Sequence, residues 1–514
     1  MLSRTRVVVI GAGVGGLAAA SDLAAQGLDV LVIDKALAPG GKMRQVSAGG
    51  AQIDAGPTVL TMRWVFEELF AAAGQALNDH VTLRPLDILA RHAWSDQERL
   101  DLFSSIARTQ EAIGAFAGAA EARRYGAFCA EARRIYEALE QPFIRSSSTN
   151  PIGLVARCGL SGIGGLSRIN PFTTMWGRLS QHFQDRRLRQ LFGRYATYCG
   201  SSPFLAPATL MLVAHVEREG VWIVEGGMHK IAAALAEMAS RRGVSFQYGR
   251  RAEEIIVSGG RVAGLRLADG DLIEAGAVVV NADVNALAGG HFGEGVRTAA
   301  AGAPCPARSL SAVTWAICAK PEGFPLVRHN VFFSTDYEAE FDDIFRRKLL
   351  PSEPTVYVCA QDRADGGPSG PRREERLLCL VNAPPTGDSH TFTRAEIEQC
   401  EKRAFGRLER CGLVVRMRPE MSVVTDPNEF ERLFPATGGA LYGRASHGWR
   451  ASFQRPGART RIPGLYLAGG STHPGPGVPM AALSGRTAAA SLLADLASTR
   501  RFHPAATPGG MSTR

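Results

Sequence analysis

Six consecutive residues near the start of the chain, Gly11-Ala12-Gly13-Val14-Gly15-Gly16, follow the pattern G-x-G-x-x-G, and Asp34 stands 23 positions after the first glycine. These residue types at this spacing suit a dinucleotide. Gly11 permits a tight turn, Gly13 lets the backbone approach a pyrophosphate, and Gly16 lets a helix pack closely on a strand. The helix start then offers its free N–H groups to phosphate. Asp34, followed directly by Lys35, suits the two hydroxyls of a ribose and repels a 2'-phosphate. NAD and FAD both fit such a loop, and they imply different chemistry.

Other reactive side chains are less patterned. Glu225 precedes the Gly226-Gly227 turn and is a candidate proton acceptor; His473 follows Gly469-Gly470 and reads as a hydrogen-bonded structural histidine. Eleven histidines are scattered without an H-x-x-x-H pair or a Cys/His cluster, so no catalytic metal is expected. Nine cysteines without a C-x-x-C motif read as reduced thiols.

The elements that must position the glycine loop are legible around it. Arg6 to Ile10 is a short β-branched strand, "LAAASDLAAQG" is a helix closed by Gly27, and "DVLVIDK" is a second strand ending in Asp34. "AQIDAGPTVL" reads as a further strand. A block from 221 to 287 reads as strand, Gly-Gly turn, helix, strand, strand pair and the strand "AVVVNAD". Near the C-terminus "GLYLAGG" meets a Gly/Pro turn and an Ala-rich helix. No second G-x-G-x-x-G opens a helix, so a separate NAD domain is not expected.

These segments carry a specific resemblance. The turn Gly40-Gly41-Lys42, the turn Gly56-Pro57-Thr58, and the run Gly469-Gly470 to Gly477-Val478-Pro479-Met480 are similar to motifs of the flavin-dependent amine oxidase and carotenoid (phytoene) desaturase superfamily. The superfamily usually has Arg where Lys42 stands, which puts bidentate phosphate contact in question. The resemblance implies FAD as the cofactor. It implies an α/β fold with a Rossmann-like FAD-binding domain of the amine oxidase/phytoene desaturase type and an inserted α+β substrate domain. The FAD-binding domain is expected over 1–75, 222–290 and 456–500, and the substrate domain, facing the membrane, over 76–221 and 291–455. Residues 501–514 read as a disordered tail.

Within the superfamily "THPGPGVPM" and "RYATYCGSSPFLAPATLMLVAHVEREGVW" resemble runs of bacterial phytoene desaturase-type enzymes, and the segments Arg194 to Ala214 and "LFPATGGALYGRASHGWRASFQRPG" look more like the hydroxycarotenoid 3,4-desaturases of photosynthetic bacteria. That implies removal of two hydrogens beside a polyene, with hydride leaving to flavin and oxygen or a quinone as final acceptor. The implied substrate is a 1-hydroxylated acyclic carotenoid desaturated at C3–C4. Its hydroxyl needs a polar partner in an apolar tunnel, and Thr197, Tyr198, Tyr442, Ser446 and His447 are candidates. Phytoene desaturase, amine oxidase, saturase and a prenyl-protein chaperone of the GDP dissociation inhibitor type remain open as alternatives.

Composition bounds the rest. At 514 residues, 45% hydrophobic and 21% charged, the chain is globular and large enough for two domains. A net charge of +9 admits nucleic acid or an anionic membrane. No recognition motif supports nucleic acid. The start of the chain does not read as a signal peptide, and no apolar window of about 18 residues reads as a spanning helix. A cytoplasmic protein attached to the membrane surface is therefore expected, with Asn150 to Leu179, rich in Leu, Ile, Phe, Trp and Arg, as the contact candidate.

Overall fold

Two β-branched runs, Val7–Ile10 and Val30–Asp34, are buried on both faces, which requires cover above and below. The computed structural model describes residues 6–147, 153, 172–300, 307–364 and 374–502. In chain order the principal elements begin with β1 (Val7–Ile10), α1 (Val14–Ala25), β2 (Val30–Asp34), β3 (Gln45–Ala48), β4 (Ala51–Asp54), β5 (Ile88–Ala93), β6 (Arg99–Phe103) and α2 (Ala119–Leu139). They continue with α3 (Arg186–Gly193), α4 (Leu212–Arg218), α5 (His229–Arg241), β7 (Ser245–Tyr248), β8 (Ala277–Val280), β9 (Ser311–Ala319), β10 (His329–Phe332) and β11 (Val356–Ala360). The last are β12 (Glu375–Ala383), α6 (Arg394–Arg410), β13 (Ser422–Thr425), β14 (Leu465–Leu467) and α7 (Val478–Phe502).

One sheet is wholly parallel, in the order β14-β8-β1-β2-β7. Alternation along its strands divides two cores. Val7, Val9, Val30 and Val32 face α1, α5 and α7, while Val8, Ile10, Leu31 and Ile33 face a small antiparallel sheet built from 252–274. Helices α1 and α7 approach so closely that a Cβ on Gly485 would lie 2.0 Å from the Gly15 carbonyl oxygen, which explains the Gly and Ala content of both. The fold is the expected α/β, Rossmann-like type.

The other large sheet runs β13-β9-β12-β11-β10-β5-β6, antiparallel except for β5 beside β10. One face buries Val313, Trp315 and Ile317 beneath α6, where the Trp315 indole N–H donates to Glu401 at 2.9 Å. The opposite face turns Thr314, Tyr357, Leu378 and Leu380 toward a cavity. That period of two makes the sheet the cavity's floor.

One segment departs from expectation. The strand expected in "AQIDAGPTVL" ends at Asp54, while the strand read before the Gly-Gly turn forms at Trp222–Val224 and pairs with Leu83–Pro85. The ending at Asp54 has a cause: its carboxylate accepts from the Met228 N–H at 2.6 Å, at the start of α5, and its backbone pairs with the Gln361 amide at the end of β11. A Cβ on Gly227, at φ +100, would stand 2.2 Å from that carboxylate. The Gly226-Gly227 turn is thus a packing requirement.

Glu340 provides a pH-dependent element of this fold. One carboxylate oxygen accepts from Thr355 at 2.6 Å and Ser334 at 3.0 Å; the other is buried without a partner among the described residues. Burial pushes its pKa from 4.5 up to about 7. The folded state therefore holds this proton more tightly than the unfolded chain, and stability falls as pH rises from about 4.5 to about 7. Glu340→Gln is expected to raise stability above pH 7 by roughly 1–3 kcal/mol, with the gain vanishing below pH 4.5. Urea unfolding at pH 4.5 and pH 8 checks both the sign and the window.

Candidate active site

The carboxyl ends of the parallel strands, where open α/β sheets bind ligands, open into a cavity of about 1410 Å³. That exceeds the roughly 300–1,000 Å³ of a single-ligand pocket, so the space accommodates a cofactor and a long second molecule. Gly11, Gly13, Val14, Gly15, Asp34, Lys35, Gly41, Lys42, Gly56, Pro57, Thr58, Gly469, Gly470, Gly477, Val478, Pro479 and Met480 all line it. Motifs far apart in sequence are thus brought to one wall. Ala12 and Gly16 are not on that wall. Ala12 is fully buried behind the loop, and a Cβ on Gly16 would lie 2.0 Å from the Gly11 carbonyl oxygen, so Gly16 serves helix packing.

The loop is held in shape from both sides. The Asp34 carboxylate accepts from the Ala12 N–H at 2.7 Å and the Ala36 N–H at 2.8 Å. Asn281, just past β8, donates its side-chain N–H to the Gly11 carbonyl at 3.2 Å. Cβ atoms on Gly11, Gly13, Gly15 or Gly469 would each fall within 2.9 Å of Asn281 atoms. Glycine at four positions and one amide therefore define the cradle. The sequence offered a single signal for Asn281, a polar residue ending a buried parallel strand. Gly56 is equally constrained, since a Cβ there would meet the Lys42 carbonyl oxygen at 1.9 Å.

Lys42 and Lys35 do not form a phosphate clamp. The Lys42 ammonium donates to the Leu441 carbonyl at 2.6 Å, burial lowers its pKa, and Asp283 acts against that shift. The Lys35 ammonium reaches the Arg432 carbonyl at 3.3 Å. Backbone N–H groups at the starts of α1 and α7, both on the cavity wall, are left to meet the cofactor's anionic parts. The donor set fits a dinucleotide with a free ribose and a flavin.

Glu225 is corrected as a proton acceptor: it does not line the cavity, its side chain is 47% exposed, and it pairs with Arg84 at 3.0 Å. The reason is strand pairing, which sets Glu225 beside Leu83–Pro85 on the outside. His473 is buried, with Nε2 at 2.9 Å from the Phe143 and Ser146 carbonyls, consistent with a structural role. Thr197, Tyr198, Tyr442 and Ser446 line the cavity. His447 lies outside it, accepting from the Ser202 N–H at 3.0 Å. The sequence reading passed over Arg194 and Glu217, which also line the cavity. Among the described residues no His, Cys, Asp and Glu cluster could hold a metal.

Comparison with known proteins agrees with this geometry. The family of flavin containing amine oxidoreductases matches residues 14–493. Hydroxyneurosporene desaturase of Rubrivivax gelatinosus is 56% identical over 99% of this chain and 97% of that protein. The hydroxyneurosporene desaturase of Cereibacter sphaeroides is 44% identical over 96% of this chain and 99% of its own. A solved oxidoreductase from Methanosarcina mazei superposes with a TM-score of 0.61 at 15% identity, over 94% of this chain and 99% of that one, a likeness of fold. The chain belongs to the flavin containing amine oxidoreductase family and takes FAD, and the two curated relatives above are named hydroxyneurosporene desaturases.

Proposed function

We propose that this protein desaturates a 1-hydroxylated acyclic carotenoid of the hydroxyneurosporene type at C3–C4, using the cavity-lining glycine motifs and Asp34 to hold FAD. The observation that carries the reading is one cavity with two chemistries, a dinucleotide cradle at one wall and an apolar floor of Leu378 and Leu380 at another. The names of the two relatives above supply the substrate class. Bound FAD supplies the acceptor for the two hydrogens lost, and oxygen or a quinone reoxidises it. The protein's own part is to bind an extended hydrocarbon, exclude water and fix which carbon pair faces the cofactor. The strand positions support an FAD-binding unit drawn from 1–75, 222–290 and 456–500.

Hydroxyneurosporene and phytoene, offered in parallel to the purified flavoprotein with products identified by absorbance and mass, test the reading. Turnover of hydroxyneurosporene to a product two hydrogens lighter is expected. Efficient phytoene turnover with an inert hydroxylated substrate would make this a phytoene desaturase.

The substrate is insoluble in water, and among the described residues no helix is long and apolar enough to cross a membrane. We place the protein at the membrane surface on its cytoplasmic side, where such a substrate resides. Much of the Asn150 to Leu179 candidate lies outside the described residues; of its remainder, Met175 and Leu179 are fully buried. Phe172 is 77% exposed and stacks edge-on against Trp449, 42% exposed, and both rings border the cavity. Arg450 lies over Trp449 at 5.7 Å. Two exposed rings beside a cation at a cavity rim suit an anionic lipid surface. Replacing both rings with Asp is expected to cut flotation with anionic liposomes by roughly tenfold or more, and unchanged flotation would rule this rim out.

A further inference from the structure

A guanidinium is an unusual group to find in the wall of a hydrocarbon-binding cavity. Arg194 follows α3, lines the cavity and has no ion pair among the described residues. The one hydrogen bond of its guanidinium among them runs from Nη1 to the Tyr198 hydroxyl at 3.3 Å. The cation otherwise rests on aromatic faces, 5.4 Å from the Tyr198 ring centroid and 5.2 Å from that of Tyr357. A guanidinium carries five N–H donors and stays charged, so most of its donors have no acceptor among the described residues.

The charge is balanced at one remove. The Tyr198 hydroxyl donates to one oxygen of Glu217 at 2.8 Å, and the Tyr195 hydroxyl donates to the other. Glu217, in α4, is 4% exposed. This arrangement orients the Tyr198 phenol with its proton toward Glu217 and its oxygen lone pairs toward Arg194 and the cavity. An incoming hydroxyl could accept from the guanidinium and donate to the phenol oxygen at the same time. Neither an alkyl chain nor a polyene could satisfy either group.

The location adds a second argument. Tyr357, beneath the guanidinium, bonds through its hydroxyl to Thr58 at 2.6 Å, within the Gly56-Pro57-Thr58 turn of the proposed cofactor wall. One aromatic ring thus separates Arg194 from that wall. In a 1-hydroxylated carotenoid the oxygen-bearing C1 is two carbon–carbon bonds from C3. A chain in an apolar tunnel has no fixed register, whereas one anchored oxygen beside the cofactor wall determines which bond is presented. We propose that Arg194 and the Tyr198 hydroxyl form the site that holds the substrate's C1 oxygen, and that this anchor sets both the preference for hydroxylated carotenoids and the C3–C4 position of desaturation.

The inference rests on the function proposed above, so its test has two tiers. First, the wild-type flavoprotein is titrated in detergent micelles with hydroxyneurosporene and with neurosporene, which lacks the hydroxyl, following quenching of protein fluorescence. Turnover of the hydroxylated compound is assayed alongside. Wild-type protein that does not desaturate it overturns the functional reading, and the anchor with it.

Given that turnover, Arg194→Met and Tyr198→Phe are compared with wild type. Losing a charge-assisted bond is expected to reduce the binding preference for the hydroxylated ligand by roughly 10- to 100-fold in Arg194→Met, and by less in Tyr198→Phe. The products of Arg194→Met should include double bonds away from C3–C4, identified by absorbance and fragmentation. Arg194→Lys should recover part of the preference. A purely structural role would lower affinity for both ligands together and leave the product unchanged. A binding preference within threefold of wild type in both variants, with C3–C4 product only, overturns the anchor. If Arg194→Met fails to retain flavin, Tyr198→Phe decides alone, since Glu217 keeps its bond from Tyr195 in that variant.

Discussion

Gly13→Val is expected to yield a folded protein that retains less than about a tenth of the flavin bound by wild type. Gly13 has an ordinary φ of −75°, so the backbone tolerates a side chain. A Cβ there would meet only the Asn281 amide, at 2.9 Å and 4.0 Å, and would otherwise extend into the space a pyrophosphate must enter. The loss should therefore appear in cofactor content and leave secondary structure intact. Gly16→Ala is the informative contrast. Its Cβ would press on the Gly11 carbonyl oxygen at 2.0 Å, a backbone atom that cannot yield without moving β1 or α1. That variant should lose stability as well as flavin. Absorbance at the flavin band and circular dichroism on the same samples separate the two, and full flavin occupancy in Gly13→Val would remove the loop from the cofactor site.

The contrast marks what was legible in the sequence. Gly11, at φ +100, leaves a signature because a left-handed backbone is a local constraint that favours glycine whatever surrounds it. β1, α1 and β2 were legible for the same reason, since a β-branched run and a helical period each state their burial without reference to the rest of the chain. Asn281 carried only one signal, a polar residue ending a buried strand, because the Gly11 carbonyl it bonds lies 270 positions earlier and no local pattern reveals that pairing. Arg194 was hidden in a different way. An arginine in a basic chain reads as a solvated charge, and only the arrangement of α3, α4 and β11 encloses it with Tyr198 and Tyr357. Glu225 failed for want of direction: proximity to a Gly-Gly turn says where the backbone goes, whereas pairing beside Arg84 decided where the carboxylate points.

Arg455 carries the other large expected effect, because it joins two loops that motif reading treats separately. It is 2% exposed, and its Nη1 donates to the Tyr442 carbonyl at 3.3 Å and the Gly470 carbonyl at 3.2 Å, while Nη2 donates to the Arg444 carbonyl at 2.5 Å. Tyr442 and Gly470 both line the cavity. The guanidinium therefore holds a piece of the substrate wall against the turn that leads into α7. Methionine has similar bulk but no donor, so Arg455→Met would remove the donors that this fork supplies to three part-buried carbonyls. Leaving a polar group without its hydrogen-bond partner costs roughly 1–3 kcal/mol, a large share of the roughly 5–15 kcal/mol that keeps a domain folded. The loss should be local first. Hydrogen exchange is expected to accelerate over 440–445 and 468–475 before the parallel sheet is affected, and flavin should be released at lower urea than in wild type. Arg455→Lys should recover little, because one ammonium cannot span carbonyls that a rigid fork reaches from two nitrogens. Wild-type exchange rates in both loops of Arg455→Met would show that the two segments hold together without the clamp, and that the cavity wall depends on side-chain packing instead.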